Sequence, residues 1–169
     1  MDCASRTSPG TGSREPLQLH LKYMKTALAL ARRAFEREEV PVGAIVVWHD
    51  RVIGRGWNQT ISRTDPCAHA EIVALRQAAR RLGNYRLTSA TLYCTLEPCA
   101  MCAAALVHGR LQTLVYGARD PKAGAVDSHL NLLGAGFLNH RVKVISGVLQ
   151  EDAGKLLREF FRHRRDRKH

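Results

Sequence analysis

The stretch VGAIVVWHDRVIGRGWN, residues 42–58, decides the fold. Val42 to Trp48 is apolar at almost every position and reads as a central strand. His49 and Asp50 make a tight turn, and Arg51 to Asn58 returns as the hairpin partner. Upstream, Leu21, Met24, Leu28, Ala31 and Phe35 recur three and four apart, which predicts an amphipathic helix over residues 21–38. Downstream, Ile72, Leu75, Ala79 and Leu82 mark a second helix that stops near Gly83 and Asn84. A strand over 91–95 follows, then a short helix from Glu97 to Val107, with Pro98 expected in its first turn, where a missing N–H costs nothing. TLVYG at 113–117 is another strand, and 118–140 is a long glycine-containing connection. A fifth strand falls at 142–146. Leu149, Ala153, Leu156 and Phe160 then support a terminal helix whose last turns are basic. This alternation argues an α/β fold, a three-layer α-β-α sandwich around a mixed five-stranded sheet.

At 169 residues the chain suits one domain with a respectable core, expected over 19–169. Residues 1–18 form a Ser/Gly/Pro-rich leader that cannot bury much and is expected to be disordered. With 26 Lys and Arg against 15 Asp and Glu, the net charge of +11 favours a polyanionic partner. Much of that excess lies in REFFRHRRDRKH near the C-terminus. The chain has no transmembrane run and no basic-then-apolar leader, so no membrane association and a cytoplasmic setting are expected. Five cysteines with one C-x-x-C pair do not make a secreted disulfide framework, and metal binding is the better use of that spacing.

Cys99 and Cys102 in EPCAMC are spaced so that both thiolates reach one ion from a single helical turn. The start of a helix there also favours thiolate over thiol. A redox pair or two buried cysteines would share the spacing; no second C-x-x-C completes a four-cysteine site, so for a metal one or two more ligands must come from elsewhere. DPCAHAE at 65–71 offers them. His69 is either the third ligand or a helix-capping or core histidine, and Cys67 is a further candidate. Three protein ligands with one open position are the usual catalytic zinc arrangement; four would be a closed staple. Glu71 is either a first-turn acid or the group that moves a proton between a water and a substrate. Cys94 reads as a small buried hydrophobe.

His69-Ala-Glu71 followed by Pro98-Cys-Ala-Met-Cys102 matches the H-x-E…P-C-x-x-C pattern of the zinc-dependent nucleobase deaminases. EVPVGAIVV, GWN, DPCAHAEIVALRQA, NYRL, ATLYCTLEPCAMCAAAL, VYGARD and FFRHRR together resemble the bacterial tRNA-specific adenosine deaminases, of the cytidine/deoxycytidylate deaminase superfamily. The likeness runs from about Leu21 onward. It implies a cytidine deaminase-like fold, a homodimer, and one zinc per subunit on His69, Cys99 and Cys102. It further implies hydrolysis of adenosine to inosine at the wobble position of an arginine tRNA anticodon, with Glu71 as proton shuttle. Cys67 is no part of that zinc motif. By the same resemblance Asn58 would contact the target base. Asp120, Lys122, Asn139 and His140 would meet flanking nucleotides of the anticodon stem-loop. Phe160 and Phe161 are adjacent, so one can face the core while Phe161 stacks on a loop base, with Arg162, Arg164 and Arg165 on phosphates. A deaminase of free cytosine, guanine or nucleotides shares the zinc chemistry but has little use for the basic tail. A zinc-stabilised RNA-binding protein without catalysis would have no use for Glu71.

Overall fold

The computed structural model describes residues 14–167. The chain runs α1 (Arg14–Glu36), β1 (Gly43–Trp48), β2 (Arg51–Trp57), α2 (Ala70–Leu82), β3 (Thr91–Leu96), α3 (Ala100–His108), β4 (Thr113–Ala118), β5 (Lys143–Ile145) and α4 (Gln150–Asp166). The strands form one mixed sheet in the order β2-β1-β3-β4-β5. β1 pairs antiparallel with β2 and with β3, whereas β3–β4 and β4–β5 are parallel.

The apolar run in β1 has a simple cause. Ala44 and Val46 face α2 and α3, together with Leu92, Cys94, Leu114 and Tyr116 of the neighbouring strands. Ile45 and Val47 point the opposite way, onto Tyr23, Met24 and Ala27 of α1, alongside Tyr93 and Val115. Successive side chains alternate between faces, and both faces are covered, so no position is left for a polar residue. This is the expected three-layer sandwich, with α1 and α4 on one side and α2 and α3 on the other.

Two glycines bring α2 down onto the sheet. A Cβ on Gly54 would lie 2.2 Å from the Ala74 carbonyl oxygen, and one on Gly56 would lie 2.1 Å from that of Ala70. Backbone therefore meets backbone along β2, and the start of α2 is set against the end of that strand. α4 is fixed at its far end by Phe160, which meets Phe35 of α1 edge-on at 5.4 Å, and by an ion pair between Arg167 and Glu38.

Three boundaries differ from expectation. α1 begins at Arg14, well before Leu21, so the last part of the expected leader is helical, while residues 1–13 lie outside the described residues. Pro16 permits this because a proline in the first helical turn lacks only an N–H that would go unpaired anyway. α3 begins at Ala100 with Cys99 as its N-cap, so Pro98 precedes the helix instead of sitting in its first turn. The fifth strand is shorter than expected, and one turn of 3-10 helix, Leu132–Gly134, breaks the long connection before it.

Candidate metal and catalytic site

Two helix starts converge on one point. His69 is the N-cap residue of α2, with extended backbone (φ −69°, ψ 151°), and its side chain makes no capping bond. That task passes to Asn58, just past the end of β2, whose Oδ1 accepts the Ala70 N–H at 2.9 Å. The His69 ring is thereby released to turn inward. Cys99 occupies the equivalent N-cap position on α3, also extended and also without a capping bond. Cys102 lies one turn further on and is fully buried.

The His69 Nδ1 lies 3.6 Å from each of the Cys99 and Cys102 Sγ atoms. Among the described residues these three form the His/Cys/Asp/Glu cluster whose ligand atoms fall within 4.8 Å of one another. Zinc takes nitrogen at about 2.0–2.1 Å and sulfur at about 2.3 Å in tetrahedral array, which requires N···S separations of about 3.6 Å. The donor set and its spacing therefore fit that ion. Cys67 is not part of the cluster. It is half-buried in the preceding loop, donating its N–H to Asp65 Oδ1 at 2.8 Å, so it is not the core filler that Cys94 is.

The thiols divide their acidity. The Cys102 hydrogen bond and then the His69 ring hold Cys99 down at about 4 against the effect of burial, while Cys102 is pushed well up by Cys99 and by burial. His69 is raised by its contact with Cys99, against burial, and by Glu71. Both helix starts add positive potential where a thiolate forms. Glu71, the second residue of α2, is only 4% exposed, and burial raises its pKa although the His69 charge draws it down.

The expected RNA contacts separate into two groups. Asp120, Lys122, Phe161, Arg162 and Arg165 line one cleft of about 1060 Å³ between the loop after β4 and the outer face of α4. Phe160 is 2% exposed and Phe161 43%, so the adjacent rings do point opposite ways. Lys122 Nζ stands 5.8 Å from the Phe161 ring centre, joining the two walls. The cleft holds none of the three cluster residues. Its floor includes Leu96, from which the chain runs through Glu97 and Pro98 into Cys99. Asn139 and His140 are elsewhere. Arg110 donates to the Asn139 carbonyl and a His140 ring nitrogen meets the Leu111 carbonyl, which puts both beside the start of β4. Asp120 follows the other end of that strand, so one protomer does not bring the two groups together.

Two buried carboxylates went unread in the sequence. Glu39, 1% exposed, accepts the N–H groups of Ile61 and Ser62 and the Thr60 hydroxyl. Against the burial that would raise it, the Ser62 and Ile61 N–H donors hold its pKa low. Glu97, 2% exposed, gathers the segment 120–128. The available signal was an acid at the edge of an apolar strand, where a buried charge must find donors.

The chain matches the MafB19-like deaminase family over residues 18–165. It is 49% identical to a tRNA-specific adenosine deaminase of Haemophilus influenzae, over 87% of this chain and 86% of that protein. It is 47% identical to one of Agrobacterium fabrum, over 85% and 94% respectively. A solved structure from work on A-to-I editing by tRNA:A34 deaminases at the wobble position of transfer RNA superposes with a TM-score of 0.79. That chain is 46% identical, and the match covers 80% of this chain and 99% of the other.

Proposed function

The chain belongs to the tRNA-specific adenosine deaminases, and on that premise we propose that it hydrolyses adenosine to inosine at the wobble position of a tRNA anticodon, in an arginine tRNA. The observation that carries this reading is the convergence of His69, Cys99 and Cys102 at two helix starts with Glu71 buried beside them.

His69, Cys99 and Cys102 would hold one zinc per subunit, which when bound makes a water nucleophilic near neutral pH. Glu71 handles the protons. Its carboxylate takes one from the water that attacks C6, places it on ring N1, and assists the 6-amino group to leave as ammonia. Water and adenosine thus give inosine and ammonia. A carboxyl whose pKa is raised by burial is suited to both halves of that transfer, because it gives up its proton at a pH nearer neutrality. The bond from the Ala70 N–H to its amide oxygen fixes the Asn58 side chain and leaves its NH2 to offer the base as a donor for a ring nitrogen or ribose oxygen.

Phe161 stacks on a base of the anticodon loop, and Arg162 and Arg165 take phosphates, with Asp120 and Lys122 on the opposite wall. An anticodon loop presents its bases already unpaired, which avoids the cost of extracting one from a duplex. Asn139 and His140 reach flanking nucleotides only where the RNA or a second protomer spans the sheet. A homodimer is part of the proposal. It is supported by α3, whose sequence AMCAAALVH is apolar on every side, and by Tyr85 and Phe137, 66% and 81% exposed in the depression beside it. Among the described residues no helix is long and apolar enough to cross a membrane, and a cytoplasmic setting with tRNA is proposed.

The test is incubation of the pure protein with total tRNA, followed by sequencing for inosine and measurement of zinc. Inosine confined to a wobble position, with about one zinc per chain, is the expected result. Ammonia released from free adenosine, guanine or cytosine without inosine in tRNA would replace this reading.

A further inference from the structure

Glu97 is an acid that the reaction does not use. It follows β3 directly, and every lone pair of its carboxylate is engaged. Oε1 accepts the N–H groups of Val126 at 3.1 Å, Asp127 at 2.8 Å and Ser128 at 2.8 Å. Oε2 accepts the Asp120 N–H at 3.0 Å and the Ser128 hydroxyl. A carboxylate has about four acceptor sites, so none remains to meet a substrate.

The backbone is shaped around it. Gly124 passes so close that a Cβ there would lie 2.4 Å from Glu97 Cδ. The same glycine pairs with Cys99 in an isolated bridge, and the Ala125 N–H reaches the Pro98 carbonyl at 2.9 Å. The carboxylate therefore ties both ends of residues 120–128 to the segment that carries the Cys99 thiol. Within that loop Asp120 Oδ1 accepts the N–H groups of Lys122 and Ala123, closing a turn that aims Lys122 at Phe161.

We propose that Glu97 is a positioning residue for the RNA: its buried carboxylate pins residues 120–128, so that Asp120 and Lys122 stand in place on the cleft wall before substrate arrives. A loop of this length with little regular structure would otherwise be ordered at the expense of binding free energy. The inference rests on the RNA reading above. It assigns Glu97 to binding and not to the chemical step, because none of its contacts is with His69, Glu71 or Asn58.

The experiment compares the full-length zinc-loaded protein with Glu97→Gln and Gly124→Ala, using an anticodon stem-loop RNA. Gln keeps one accepting oxygen but turns an NH2 toward N–H donors. The added methyl of Gly124→Ala would meet the Glu97 carboxylate at 2.4 Å and the Asp120 carbonyl oxygen at 2.6 Å, so it forces loop and carboxylate apart without removing the acid. Both variants should raise KM by about tenfold or more, the loss of one charge-assisted hydrogen bond. Both should keep kcat at saturating RNA within about threefold and retain their zinc. Unchanged KM with reduced kcat, or loss of zinc, would make Glu97 a purely structural residue and overturn the proposal. Should Glu97→Gln fail to fold, the KM of Gly124→Ala decides alone. A wild-type protein inactive on the stem-loop removes the RNA reading and the positioning role together, whereas an active wild type with unaltered variants removes the positioning role only.

Discussion

In the proposed reaction Glu71 has to exchange a proton from a position out of water, 4% exposed beside His69. It is buried because the first turn of α2 is pressed against the sheet, and the His69 charge partly offsets the desolvation. Replacing it by Gln keeps the shape and removes only the exchangeable proton. Glu71→Gln should retain zinc and RNA binding and lose inosine formation by about 10²–10⁴-fold, the usual worth of a positioned general base. A fully active variant would end the proposed mechanism, and metal analysis beside the rate separates lost chemistry from lost zinc. The two histidine-side candidates differ in the same measurement. Cys67 lies outside the cluster, so Cys67→Ser should keep full zinc occupancy, whereas His69→Ala removes the nitrogen donor and should not.

The elements matter because they carry the candidate ligands His69, Cys99 and Cys102 on helix starts. Gly56 lets the first residue of α2 touch β2, and a methyl there meets the Ala70 carbonyl at 2.1 Å, which backbone cannot avoid by turning a side chain. Gly56→Ala should cost about 1–3 kcal/mol in urea unfolding, as overpacked cores do, and should weaken zinc retention because the start of α2 carries His69. Elements were also the scale most legible in the sequence. Periodicity and apolar runs located the strands and three of the α-helices, the EPC stretch marked the start of α3, and the trio was readable because its spacing is local to two helix starts. Glu97 was not, since its donors stand 23 to 31 residues away in an irregular loop that no periodicity describes. For the same reason Asn58 read as a base contact without its capping bond to Ala70, and Asn139 and His140 could not be placed at the other end of β4.

Glu97 also gives the loop a pH signature. Against burial, the Ser128 hydroxyl and the N–H groups of Asp127, Asp120 and Ser128 hold its pKa at about 2, below the usual 4.5. A depressed folded pKa means stability that is fully present above the unfolded value and lost as pH falls from about 4.5 toward 2. In urea titrations across that window wild type should lose stability more steeply than Glu97→Gln. With zinc content measured in both proteins at each pH and points of equal occupancy compared, equal slopes would show that the carboxylate is not held in its charged form.

Across the whole molecule the charge excess acquires a direction. The chain carries +11, and α4 holds part of that excess on the face across from Asp120 and Lys122, while its other face packs against Phe35 of α1 through Phe160. The Phe160 contact keeps Arg162 and Arg165 on the cleft side of the helix. Phosphate contacts release counterions, and for single strands the slope of log affinity against log salt changes by about 0.7 per contact. Arg162→Ala and Arg165→Ala should each flatten that slope by about this amount for an anticodon stem-loop. Phe161→Ala should weaken binding with the slope unchanged, because stacking releases no ions. Glu71→Gln should alter neither. Salt slopes that stay at the wild-type value in both arginine variants would place the RNA away from α4 and leave its basic face without a role in the reaction.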